Sequence, residues 1–86
     1  MDIRFSKRFV KQYKKLPPQF RKKFDERFLL WQEQPLHPLL QHHELGGRLA
    51  GFHSINITGD IRALYRVYDH TIYIYEMIGS HSQLYS

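Results

Sequence analysis

Three side chains in this 86-residue chain have types suited to a demanding reaction: His43, His81 and Arg62. Cleavage of RNA by its own 2′-hydroxyl needs a base to remove that proton and an acid to protonate the departing 5′-oxygen. Imidazole, with an ordinary pKa of about 6.5, serves either role near neutral pH. A cation must also neutralise the charge that builds on the phosphate oxygens. His43, His81 and Arg62 can supply this set if the segments that carry them converge, which their spacing alone does not establish.

The other candidates each carry a plain structural reading beside the chemical one. Arg62 and Arg66 alternate with apolar positions and so share one strand face, either as protection of a sheet edge or as a phosphate-binding face. Tyr85 either packs on the fold or stacks on a base. Tyr65, Tyr73 and Tyr75 fall inside strands and read as sheet packing. His53 is in phase with Ile55 and Ile57 and reads as partly buried and structural, and His70 as a turn residue. His37, His42 and His43 sit in a stretch bounded by proline and glycine, but the six histidines match no zinc-ligand spacing and form no helical i, i+4 pair. The absence of cysteine removes thiolate nucleophiles, disulfides and Cys-based zinc sites. No metal or cofactor is expected.

The charge is unevenly placed. Its formal total is +5, yet residues 1–34 hold ten Lys and Arg against four acids, a net of +6, while residues 35–86 hold three against four. All six histidines lie in that second part. The N-terminal cations are either a solvated face or a footprint for phosphates, and charge alone does not separate nucleic acid from an acidic protein as the partner. With 42% hydrophobic and 15% aromatic residues the chain has material for a core and is not of the disordered class. No apolar run reaches the roughly 20 residues of a membrane span. The start Met1-Asp2-Ile3-Arg4 lacks a signal peptide's apolar stretch, so a cytoplasmic location is expected.

The elements that must position these groups follow from periodicity. Asp2 to Phe5 predicts a short strand, and Ser6 a helix cap before Phe9, Tyr13 and Leu16 at helical spacing. Pro17-Pro18 ends that helix and opens a second, with Phe20, Phe24, Phe28 and Trp31 as its apolar stripe and Pro35 as its stop. Residues 35–47 read as a loop. From Arg48 the period becomes two, predicting strands over Ala50 to Ile57, Ile61 to Tyr68 and Thr71 to Ile78, joined by turns at Thr58-Gly59-Asp60 and Tyr68-Asp69-His70. His81 to Ser86 read as a tail. The expected architecture is one α+β domain over residues 1–86, in the order β-α-α-β-β-β, with a helical hairpin against an antiparallel three-stranded meander.

Three stretches, taken together, carry a resemblance to a known family. They are His43-Glu44-Leu45-Gly46-Gly47, then Gly59-Asp60-Ile61-Arg62-Ala63-Leu64-Tyr65-Arg66-Val67, then Ile78-Gly79-Ser80-His81-Ser82-Gln83-Leu84-Tyr85. In this order they resemble the RelE/ParE toxin superfamily, and most closely its YafQ-like branch. The resemblance spans essentially the whole chain, including Phe5-Ser6-Lys7-Arg8-Phe9 and the basic hairpin after it. It implies the same β-α-α-β-β-β fold and the toxin of a bacterial type II toxin–antitoxin pair. It further implies a metal-independent endoribonuclease that cuts mRNA on the ribosome. By that resemblance His43 and His81 match the catalytic histidines, with His81 as acid and His43 as candidate base. Asp60 matches an acidic residue that helps form the site, and Arg62 the arginine that stabilises the phosphate. Tyr85 matches the aromatic position near the substrate base, with Arg66 and Arg48 as further substrate-binding candidates. The implied partners are an acidic antitoxin protein, mRNA and the ribosome, and no membrane.

The chain departs from the branch at Ser54 and Asn56, which align with an acidic residue and a further histidine. His43 and His81 are then left to carry most of the proton transfer. Two alternatives stand beside the nuclease: a ParE-like gyrase inhibitor without nuclease activity, and a decayed toxin that only binds antitoxin or RNA.

Overall fold

The computed structural model describes residues 1–85. A short strand β1 (Asp2–Phe5) leads into helix α1 (Lys7–Lys15) through Ser6, whose Oγ accepts from the Phe9 amide at 3.0 Å, as an N-cap should. Leu16 is extended, the conformation that a following proline imposes, and α2 (Pro18–Glu33) starts one proline later. The Arg21 guanidinium donates back to the Leu16 carbonyl and fastens the two helices at their turn.

The segment from residue 35 to 47 is more ordered than a loop. A 3₁₀ turn over Pro38–Leu40 plugs Leu40 fully into the core, and His43–Glu44 form a two-residue strand, β2, beside the following strand. A second 3₁₀ turn over Gly47–Leu49 and a left-handed Gly51 (φ 93°) delay that strand, so β3 spans His53–Asn56 rather than starting at Ala50. Strand β4 (Ile61–Tyr68) follows the expected turn, in which the Thr58 hydroxyl accepts from the Ile61 amide. Asp69 and His70, both left-handed, close the next turn. Strand β5 (Ile72–Ser80) runs straight into a short helix α3 (His81–Tyr85), where a tail was expected.

The five strands form one sheet in the order β1-β5-β4-β3-β2, antiparallel except for the β1–β5 pair. Strand β4 therefore lies in the interior, hydrogen-bonded on both sides. The edge-protection reading of Arg62 and Arg66 fails for that reason.

Strand β1 reaches only as far as Tyr75 along β5. Beyond it the outer side of β5 is taken by α1: the Ser6 hydroxyl donates to the Glu76 carbonyl, and the Ile78 amide donates to Gln12 Oε1 at 2.9 Å. Opposite β4, Leu64 pairs with Met77 but Tyr65 pairs with Tyr75, which leaves Glu76 as a bulge. The bulge turns Tyr75 and Ile78 to one face of the sheet and Met77 to the other.

Each face has its own core. On the hairpin side, Phe9, Phe24 and Trp31 pack with Leu40, Ile55, Tyr65, Tyr75 and Ile78. The opposite face holds a smaller cluster of Phe52, Leu64 and Met77, covered by Leu45, Leu49, Leu84 and Tyr85. Among the described residues no helix is long and apolar enough to cross a membrane.

Candidate active site

The smaller core supports the site. In an antiparallel ladder, directly opposed residues project to the same side. His43 on β2 stands opposite Ser54 on β3, and Ser54 opposite Leu64 on β4. One step along the sheet, Asn56 stands opposite Arg62, and Arg62 opposite Gly79 on β5. Both rows face away from the helical hairpin.

His81 enters from α3. Ser80 and Gln83 cap each other there: Gln83 Oε1 accepts from the Ser80 amide at 2.8 Å, and Ser80 Oγ accepts from the Gln83 amide at 3.2 Å. The backbone of His81 is fixed from the β3–β4 turn, its amide donating to the carbonyl of Asp60 at 3.1 Å and to its Oδ1 at 3.4 Å. Asp60 thus meets the backbone of His81, not its ring. The His81 ring contacts Tyr85 at 4.4 Å between centroids, edge to face, and the Tyr85 hydroxyl donates to Ser54 Oγ at 3.5 Å. The contacts from His43 through Ser54 and Tyr85 to His81 bring the two histidines to one face of the sheet.

His43 is exposed, and its tautomer is determined. Nδ1 lies 2.9 Å from the Gln41 carbonyl oxygen, which can only accept, so Nδ1 carries the proton and Nε2 of the neutral ring is an open acceptor. Arg62 is half-buried. One terminal nitrogen donates to the Gly59 carbonyl at 3.4 Å, while its Nε and the Asn56 Oδ1 are buried without partners.

Arg66 and Arg48 lie apart from this group. The Arg66 guanidinium sits 4.0 Å above the Phe52 ring, a cation–π contact, and 4.0 Å from the carboxylate of the bulged Glu76. With Arg48 on the second 3₁₀ turn and Arg8 and Gln12 on α1, it lines a groove of about 680 Å³ whose wall includes Tyr85. The seven residues singled out in the sequence therefore fall into two groups: His43, Asp60, Arg62 and His81 in one, and Arg48 and Arg66 in the other. Tyr85 stands between them.

Several contacts at the site were not read from the sequence. Ser54 is fully buried beneath Tyr85, and Phe52 supports Arg66. The Ser80-His81-Ser82-Gln83 stretch has capping-box spacing, a signal that would have predicted α3. On the hairpin side of the sheet, His42 Nε2 and the Tyr65 hydroxyl are 2.8 Å apart, and both rings stack on His53. Burial lowers the pKa of His42, with His53 and His43 acting in the same direction and Glu44 against them, and burial raises that of Tyr65. His53 is partly buried here, as its phase indicated, with Nδ1 unpartnered. No three His, Asp or Glu side chains among the described residues are grouped to hold a metal ion.

A family model described as the bacterial toxin of a type II toxin–antitoxin system, YafQ, matches residues 1–86. No protein of curated function matches the chain. Among solved structures, YafQ from Escherichia coli strain BL21(DE3) superposes with a TM-score of 0.81 at 23% identity, covering 99% of this chain and 98% of that one. The toxin of the E. coli DinJ–YafQ toxin–antitoxin complex gives 0.79 at 24% identity, over 99% and 97%. A chain of the toxin–antitoxin complex RelBE2 from Mycobacterium tuberculosis gives 0.73 at 28% identity, over 93% and 96%.

Proposed function

The chain belongs to the YafQ family of bacterial type II toxins, and from that premise we propose that it is a ribosome-dependent endoribonuclease that cuts mRNA and arrests translation. The observation that carries the reading is the placement of His43 and His81 on one sheet face, linked through Ser54 and Tyr85, with Arg62 on the adjoining row.

The reaction is attack of a 2′-oxygen on the adjacent phosphorus. His43 Nε2, free to accept because Nδ1 is bonded to Gln41, removes the 2′-hydroxyl proton. The bond from phosphorus to the 5′-oxygen breaks, and His81 in its protonated form delivers a proton to that oxygen. The products are a 2′,3′-cyclic phosphate and a 5′-hydroxyl. Arg62, with an unpartnered Nε, neutralises the charge that develops on the phosphate oxygens. Asp60 acts by holding the His81 backbone, and Tyr85 offers its ring to a base. The Ser54 and Asn56 departures leave no imidazole or carboxylate on the site-facing side of β3, His53 pointing to the hairpin side, so proton transfer rests on the two histidines.

The partners follow from charge. The basic hairpin would grip ribosomal RNA phosphates in the cytoplasm, giving cleavage a steep salt dependence. Relatives of the same fold are complexed with antitoxins, and an acidic, largely helical antitoxin segment would suit the same cations.

The deciding experiment is primer extension on translated mRNA after induction of wild type, His43→Ala and His81→Ala. Cleavage within codons in wild type, lost in both variants, is the expected result. DNA damage with intact mRNA would mark a gyrase poison, and full cleavage by the double variant would overturn the mechanism.

A further inference from the structure

We propose that the groove lined by Arg8, Arg48 and Arg66 is a second binding subsite, taking a phosphodiester and base of single-stranded RNA that flank the unit held at His81. This rests on the nuclease reading and adds to it a site for the neighbouring stretch of the strand.

The groove is assembled from three separate parts of the chain. Arg8 comes from α1, Arg48 from the second 3₁₀ turn and Arg66 from the central strand. Its volume of about 680 Å³ falls in the range of small-ligand sites. The position of α1 is fixed where it borders the groove, since Gln12, which lines it, is bonded to the Ile78 amide and Ser6 to the Glu76 carbonyl.

Its chemistry suits a nucleotide. Arg8 and Arg48 have no ion-pair partner among the described residues, and the single acid near Arg66 is Glu76 at 4.0 Å. Three guanidiniums against one carboxylate leave a net charge for a phosphate. Phe52, Met77 and Leu84 supply an apolar wall, and Tyr85 an aromatic one. Cations with an aromatic wall form the usual platform for a single strand, the cations tracking the backbone and the ring stacking a base. Because Tyr85 also touches His81, a strand that crosses it passes directly from one site to the other.

The probe is a 2′-O-methyl hexanucleotide, which lacks the attacking hydroxyl and is not cleaved. Titrated into ¹⁵N-labelled protein, it should shift the amides of Gln12, Gly46 and Leu49, which line the groove, as well as those of Asp60 and His81, which do not. Arg8→Ala, an exposed change that leaves the core intact, should weaken binding about three- to tenfold and reduce the salt slope by about one. Arg8→Lys should recover most of both. Shifts confined to Asp60 and His81, or an unchanged affinity in Arg8→Ala, would overturn the subsite. So would a hexaglutamate peptide that moves the groove amides where the hexanucleotide does not, which would assign the groove to an acidic protein segment. The readout is binding without cleavage, so a groove that holds RNA in a protein that cuts no mRNA would refute the nuclease alone.

Discussion

The rings of Tyr85 and His81 meet edge to face, 4.4 Å between centroids at an interplanar angle of 67°, while the Tyr85 hydroxyl reaches the fully buried Ser54 at 3.5 Å. One side chain therefore positions His81, covers the smaller core and borders the arginine groove. These roles separate by substitution. Tyr85→Phe removes only a long hydrogen bond and should cost less than about 1 kcal/mol, with cleavage largely retained. Tyr85→Ala removes the wall itself. Being half-exposed, it should cost about 1–2 kcal/mol, below the value for a fully buried aromatic, and lower cleavage at least about tenfold. Thermal melts and single-turnover cleavage on programmed ribosomes measure both.

Arg62 combines a terminal nitrogen bonded to the Gly59 carbonyl with a buried Nε that has no partner. Arg62→Ala should lower the single-turnover rate about 100-fold, the usual effect of removing one charge-stabilising donor. Arg62→Lys should recover little of it, because an ammonium keeps the charge but loses the planar fork. A rate equal to wild type in Arg62→Ala would remove this residue from the mechanism.

The start of α3 gives a third expectation. A Cβ on Gly79 would come within 2.8 Å of Gln83 Oε1, the atom that accepts from the Ser80 amide. Gln83 is flexible and exposed, so Gly79→Ala displaces it at little steric cost, but the reciprocal cap is lost. Both Gly79→Ala and Gln83→Ala should destabilise α3 by about 1 kcal/mol. Amide exchange should quicken over residues 81–85 while the β4 and β5 amides stay protected, and cleavage should fall with His81 less firmly held.

His42 makes the fold sensitive to acid. Its folded pKa is lowered, first by burial, so the unfolded chain takes up this proton at about pH 6.5 and the folded chain only at lower pH. The contribution is fully present above that value and is lost as pH falls below it toward the lowered pKa. The groups acting on His42 are Tyr65, His53, His43 and Glu44. Melting temperatures measured from pH 7.5 to pH 5 should fall less steeply in His42→Gln than in wild type. Parallel slopes would show that His42 does not carry the dependence.

What was legible in the sequence was whatever its local pattern determines. Phe9 with Tyr13 and the Phe24 to Trp31 stripe locate the hairpin, and alternation around Ile55 and Ala63 locates β3 and β4, because burial of one face imposes those periods. The bulge at Glu76 was not legible, since it is produced by the register of β4 against β5 and not by a residue type. That bulge puts Tyr75 and Met77, two residues apart, on opposite faces. Strand β2 was hidden for a similar reason: two residues carry no period, and His43 pairs with Ser54 only because Leu40 anchors the chain into the core three residues earlier. His43, His81 and Arg62 were suggested by their chemistry and by resemblance. Their common face, and the contribution of Arg8 from a helix more than fifty residues before Arg66, required the tertiary structure.

Gln41 gives the last expectation, because its backbone and side chain have different consequences. It sits in the left-handed region at φ 43°, ψ 44°, closing the Pro38–Leu40 turn, and its carbonyl fixes the tautomer of His43. A non-glycine residue in that region costs about 1–2 kcal/mol, and glycine's greater freedom in the unfolded chain offsets about 0.5–1 kcal/mol of the relief. Gln41→Gly should therefore stabilise the protein by about 0.5 kcal/mol in chemical denaturation. The carbonyl remains, so Nδ1 of His43 keeps its partner and cleavage should match wild type. A stabilised variant with impaired cleavage would show that the Gln41 side chain, and not its carbonyl, serves the site.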